Sequence, residues 1–136
     1  MSQSAFIQLV DGAKKIELDL KELEALLLQY QEMTANTGKQ LGWDYQQAAF
    51  PYEVQQKTEP SPYLFLKGKE PHLYQGILMG VSKKENGVCQ VQITLSERST
   101  QGDQAKGNEL SRYLAKELGG KLHLFNKRIM YFNKRK

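Results

Sequence analysis

Residues 76–95 read GILMGVSKKENGVCQVQITL, two apolar runs of strand length joined through Asn86-Gly87, and the way they pair decides the fold. An Asn-Gly pair tolerates the positive φ that a type I′ turn needs at both central positions. Leu73 to Ser82 is therefore expected to return as Val88 to Leu95. With Asn86 and Gly87 as the two loop residues, Leu78 opposes Leu95, Gly80 opposes Ile93 and Ser82 opposes Val91 on one apolar face. A helix is expected to rest there, with Gly76 and Gly80 permitting close approach by it or by an aromatic ring. The other face then carries Ile77, Met79 and Val81 together with Thr94, Gln92 and Gln90. That face is half apolar, so it needs a partial cover or a partner.

Outward from the hairpin, Tyr63 to Lys67 reads as a strand reaching it through a Gly68/Pro71 turn, and Tyr52 to Lys57 as an edge strand. Ala5 to Val10 is a further strand, closed by Asp11-Gly12. Asp19 as N-cap and Glu22 at N3 form an acidic capping box, flanked by a Leu18/Leu23 hydrophobic staple. From there Leu20, Leu23, Leu26, Leu27, Tyr30 and Met33 recur at three- and four-residue steps, and Gly38 supplies a stop. Leu28 lies almost opposite that stripe, as an isolated exposed leucine or as one end of a contact with another chain. A second helix is expected to be capped by Asn108, to bury Leu110, Tyr113, Leu114 and Leu118, and to end at Gly119-Gly120. Residues 39–62 hold Trp43, Tyr45 and Phe50 among glutamines and prolines, which disfavour long regular structure. These three aromatics either seal the core or line a small-molecule pocket.

Charge is concentrated rather than diffuse. Residues 121–136 carry six Lys or Arg and no acid, whereas the rest of the chain is slightly acidic and the whole is +4. The meaning of this basic end depends on register. A two-residue Asn126-Lys127 turn puts Lys121, His123, Phe125, Arg128, Met130 and Phe132 on one face, a platform for single-stranded nucleic acid. A three-residue turn sends Leu122, Leu124, Met130 and Phe132 one way and His123, Phe125, Ile129 and Tyr131 the other. Residue pattern alone does not choose between them, and Lys134, Arg135 and Lys136 also suit a solvated tail.

Catalytic motifs are weak. Gly102 and Gly107 have P-loop spacing, but Asn108 and Glu109 fall where lysine and Ser/Thr are required, and the carboxylate repels phosphate. The two glycines are therefore read as part of a flexible loop. His72, His123 and the lone Cys89 have no partners at ligand or catalytic spacing, so no metal, no cofactor and no enzymatic activity are expected. Cys89 reads as a small buried hydrophobe suited to a reducing cytoplasm. No apolar stretch approaches the ~20 residues of a membrane span. At 136 residues the chain is expected to be one domain over 1–136.

Two stretches, GKEPHLYQGIL at 68–78 and NELSRYLAKELGGKLHLF at 108–125, resemble an uncharacterised family of small proteins, a domain of unknown function from spore-forming Gram-positive bacteria. The resemblance implies a cytoplasmic bacterial protein with a two-layer α+β fold and a TATA-binding-protein-like topology. It carries over no functional residue, because function belongs to sites rather than folds.

The expected architecture is α+β: a two-layer, mainly antiparallel sheet of about six strands with two helices packed on one face. The leading functional expectation is a non-catalytic protein-interaction module, binding a partner or a second copy through Ile77, Met79 and Val81, or through Leu28. The rival is nucleic-acid binding through Lys121, Lys127, Arg128 and the terminal Lys134, Arg135 and Lys136, with affinity falling steeply with salt.

Overall fold

The turn of the 76–95 hairpin holds three residues, not two, and the difference inverts the sheet. Gly87 N–H donates to the Lys84 carbonyl and Lys84 N–H to the Val88 carbonyl, both at 2.8 Å. Asn86 Oδ1 accepts from the Val88 N–H at 3.1 Å, and Gly87 takes φ 84°. This is the loop in which a type I turn is followed by one left-handed residue, and Asn-Gly serves it as well as it serves type I′. The computed structural model describes residues 3–10, 12–14, 16–41, 50–58, 61–70 and 72–132, with side chains in the first helix described through Thr34.

The strands are β1 (Gln3–Gln8), β2 (Tyr52–Lys57), β3 (Tyr63–Gly68), β4 (Gly76–Lys83), β5 (Cys89–Leu95), β6 (Lys121–His123) and β7 (Ile129–Tyr131). They form one antiparallel sheet in the order β2-β3-β4-β5-β1-β6-β7, with β2 at an edge as expected. Along β4 and β5, Met79 pairs with Ile93, Val81 with Val91, and Leu78 with Thr94. A one-residue slip moves a whole side-chain set through the sheet. Ile77 and Met79 consequently lie fully buried beside Val91, Ile93 and Leu95, with Val81 half-buried at the margin, while Leu78 is 37 % exposed on the other side. The expectation of Ile77, Met79 and Val81 as an interaction face is therefore corrected. Gly76 is approached by an aromatic ring, that of Phe65.

Two helices cover this apolar face, α1 (Leu20–Leu41) and α2 (Gln101–Leu118). The Asp19/Glu22 box forms reciprocally, with Glu22 N–H on Asp19 Oδ1 at 2.8 Å and Asp19 N–H on Glu22 Oε1 at 3.3 Å. Leu23, Leu27 and Tyr30 are buried, but Met33 at the end of the expected stripe is 47 % exposed. Gly38 does not stop the helix, which continues through Leu41; a single interior glycine costs only about 1 kcal/mol.

Helix α2 begins well before Asn108. Its N-cap is Thr100, in a capping box with Asp103, so Gly102 and Gly107 belong to the helix and not to a loop. Both are there for packing. A Cβ on Gly102 would lie 2.7 Å from the Tyr74 ring, and one on Gly107 would lie 3.2–3.3 Å from Leu95 and the Phe125 ring. Gly119, at φ 64°, closes the helix as expected, with the Gly120 N–H on the Ala115 carbonyl. The helices meet through Tyr30 and Tyr113, whose rings are edge-on at 5.0 Å, and through the Tyr113 hydroxyl on the Leu26 carbonyl.

The C-terminal hairpin repeats the same turn. Lys127 N–H donates to the Leu124 carbonyl, Leu124 N–H to the Arg128 carbonyl, and Asn126 Oδ1 accepts from the Arg128 N–H. Lys127, at φ 69°, occupies the place that glycine holds in the first hairpin. The three-residue alternative is thus realised. Leu122 pairs with Met130 on the helix side and His123 with Ile129 on the other. The platform face dissolves, because Met130 and Phe132 pack on the core and Phe125 turns back onto α2 at Gly107.

Candidate functional site

Seven strands present two faces, and no described element covers the second. Strand pairing aligns one residue from each strand in a row across it: Lys57, Tyr63, Gly80, Gln92, Phe6, His123 and Ile129. A neighbouring row carries Phe65, Leu78, Thr94 and Ser4. The middle of the face is uncharged. Ser4 Oγ and Thr94 Oγ1 lie 3.0 Å apart, and Gln92 Nε2 donates to both, so these polar groups are satisfied among themselves. Leu78 (37 %), Ile129 (45 %) and Tyr131 (49 %) expose large apolar surface on this side.

Lysines mark the rim. Lys57 ends β2, Lys67 sits near the end of β3, Lys84 follows β4, and Lys121 opens β6, where its Nζ lies 5.5 Å from the centre of the Tyr131 ring. Glu53 on β2, opposite Lys67, and Glu85, beside Lys84, are acids among them. His123 reports this electrostatic setting. Its pKa falls below the ordinary 6.5, first through burial and then through Lys121 and Lys84. Its Nε2 is shielded from solvent and has no hydrogen-bond partner among the described residues.

A shallow hollow of about 450 Å³ opens in the β3-β4-β5 half, between Ser61, Pro62 and Tyr63 on one side and Gln92 and Thr94 on the other. Gly80 lies at its floor between Leu78 and Ser82. A Cβ placed on Gly80 would meet nothing within 4 Å. Glycine inside a strand costs roughly 0.5–1 kcal/mol relative to alanine, so the hollow is kept at some expense in stability.

The other cluster of polar side chains is structural. Asp103 is fully buried, and its carboxylate accepts from the Tyr52 hydroxyl (2.6 Å), the Gln75 N–H (2.9 Å) and the Thr100 N–H (3.0 Å). Burial first, and then the Asp103 carboxylate, push the Tyr52 phenol far above its ordinary value, so it stays protonated and donates. The cluster ties the loop after β3 and the edge strand β2 to the start of α2. Much of the GKEPHLYQGIL stretch is spent on this junction: Gly68 and Gly102 both lie against Tyr74.

The structure places the sequence-derived candidates far apart. Leu28 is 50 % exposed on α1, on the helical side of the molecule. Lys121 is at the rim of the open face, Lys127 at the tip of the last turn, and Arg128 is exposed beside it; Lys134, Arg135 and Lys136 lie outside the described residues. Phe50 is 1 % exposed between Tyr30 and Tyr52, so it seals the core. Trp43 and Tyr45 fall outside the described residues. Among the described residues, no group of three His, Cys, Asp or Glu could hold a metal ion, and no helix is long and apolar enough to cross a membrane. Phe6, Tyr63, Phe65 and Gly80 escaped sequence reasoning as site residues. The signal that could have found them is that Gly80 and Ser82 make a poorer core than Met79 and Val81, which favours the three-residue loop.

The family described as "Domain of unknown function (DUF1885)" matches residues 3–134. A crystal structure of a protein of unknown function from Bacillus stearothermophilus, a spore-forming Gram-positive bacterium, is 40% identical. The likeness covers 86% of this chain and 90% of that one, with a TM-score of 0.62. No curated protein matches the chain.

Proposed function

This chain belongs to the DUF1885 family, a domain of unknown function, and we propose that it is a non-catalytic protein-interaction module of the bacterial cytoplasm that binds its partner through the open face of the sheet. The observation that carries this reading is the distribution of side chains on that face. Its centre is charge-free and partly apolar, and its lysines stand at the rim. That is the anatomy of a protein interface, in which charge is depleted at the core and confined to the edge. Six strand spacings of about 4.8 Å make the face roughly 29 Å wide. This width suits the roughly 800 Å² that each partner contributes to a standard interface. The buried lone thiol of Cys89 suits a reducing compartment.

A photoreactive benzophenone side chain replacing Leu78, compared in cells with one replacing Leu28 on α1, tests the reading. A discrete protein adduct is expected from the Leu78 position and none from Leu28. Adducts from Leu28 alone, or none from either, would contradict it.

Nucleic-acid binding keeps one specific support, the Lys121–Tyr131 pair beside His123 at the β6-β7 end. Its signature is oligonucleotide affinity that falls with salt and with Lys121→Gln. Absence of binding at low salt removes it.

A further inference from the structure

Most glycines in the described structure have a local physical reason. A Cβ on Gly68, Gly76, Gly102 or Gly120 would come within 3.0 Å of a neighbouring atom, and on Gly107 or Gly119 within 3.4 Å. Gly12 and Gly87 have positive φ. Gly80 has neither reason: its Cβ would point into open space, and it sits on a central strand where a side chain would strengthen the sheet. A strand glycine without an internal reason marks a place where something from outside approaches closely.

We infer that the Gly80 hollow is an anchor site for an aromatic or large apolar side chain of an acidic polypeptide segment. The inference rests on the protein-interaction reading above and names the partner's chemistry. In the row that crosses the sheet, Gly80 is the gap between Tyr63 and Gln92. Pro62, Tyr63 and Leu78 supply apolar surface to the hollow, and Ser82, Gln92 and Thr94 supply neutral hydrogen-bonding groups around it. No ionisable carboxylate or amine lines it, so the inserted group is uncharged. The flanks of the same face differ. Lys57 lies beside Tyr63 in the pairing of β2 with β3, and Lys84 stands two residues past Ser82, just beyond the end of β4. Carboxylates on either side of the anchor would meet these two lysines. A second copy of this chain would bring lysine rim against lysine rim, so like-charge repulsion disfavours it as the occupant.

The test uses the full chain and a random peptide library displayed on phage, selected against the wild-type protein, with affinities then measured on synthetic copies of the selected peptides. Selected peptides are expected to carry Trp, Tyr, Phe or Leu beside Asp or Glu. They are expected to lose at least tenfold in affinity for Gly80→Leu, whose added side chain fills the hollow, and several-fold for Tyr63→Ser, which removes a wall. The Tm of Gly80→Leu should be no lower than that of wild type, because nothing has to move. Selected peptides that bind Gly80→Leu and Tyr63→Ser as well as wild type overturn the anchor. If those same peptides are lost on Leu78→Asp, the face survives as a binding surface and the hollow alone is rejected. A library without binders, tight binding of an oligouridylate instead, or self-association abolished by Gly80→Leu would each overturn the proposal.

Discussion

Leu78 and Met79 are neighbours in the chain and lie on opposite sides of one sheet, and their surroundings could hardly differ more. Met79 is 1 % exposed among Leu64, Ile93 and the helices; Leu78 looks outward across Thr94 and Phe65. On the covered side, each residue is accounted for by burial or by the Asp103 junction. Folding asks much less of the open side: its polar centre bonds to itself, Gly80 packs against nothing, and its charges stand at the rim. Side chains that stability does not require are the ones whose chemistry can report on a partner.

The contrast is broken most severely at the covered-side junction. Asp103→Ala removes the acceptor for three buried or half-buried donors and half of a capping box. At about 1.5–3 kcal/mol for each hydrogen bond to a charged group, a loss of at least about 4 kcal/mol is expected in urea unfolding. Next comes the neighbouring pair. Met79→Ala should cost about 2–5 kcal/mol, whereas Leu78→Ala should stay within about 1 kcal/mol. Equal losses would erase the distinction between the faces.

A smaller effect sharpens the comparison at the turns that set the register. Lys127 holds a left-handed conformation that costs an L-residue roughly 1–2 kcal/mol, partly offset by the roughly 0.5–1 kcal/mol entropic penalty of glycine. Lys127→Gly is therefore expected to stabilise by about 0.5–1 kcal/mol in thermal or urea unfolding. Destabilisation would mean that the two turns are not equivalent.

The smallest effect is a pH dependence on the open side. His123 has a folded-state pKa below 6.5, so as pH falls the unfolded chain takes up this proton first, and stability from the neutral ring is lost below about pH 6.5. Wild type should therefore lose stability relative to His123→Gln between pH 7 and pH 5. A gap that stays constant across that range would show that burial, Lys121 and Lys84 do not act on the ring as described.

Much of the architecture was legible in the sequence. The Asp19/Glu22 box, the Gly119 stop, the edge strand at Tyr52 to Lys57 and the two-layer α+β arrangement each follow from local chemistry that the structure repeats. Register was not legible, for a physical reason. Asn86-Gly87 satisfies both loop lengths, and Gly76 to Val81 is apolar on both parities, so alternation could not choose a face. Only β5 declares itself, with Val91, Ile93 and Leu95 set against Gln90, Gln92 and Thr94. The start of α2 was hidden because Gly102 and Gly107 are read as loop residues when considered alone; they are helical because Tyr74, Leu95 and Phe125 pack where a side chain would go. The candidate face inherited both difficulties. With a two-residue loop, Ile77, Met79 and Val81 fall on the open face and Gly80 beneath the helices; the three-residue loop exchanges them.

Thiol reactivity tests the outward placement of this face most directly, because the native Cys89 is 1 % exposed and provides a silent background. Leu78→Cys is expected to react with a disulfide reagent in the folded protein at a rate close to that of an exposed thiol, and Met79→Cys only after unfolding. A reactive Met79→Cys with a protected Leu78→Cys would place the other side of the sheet in solvent and contradict the account.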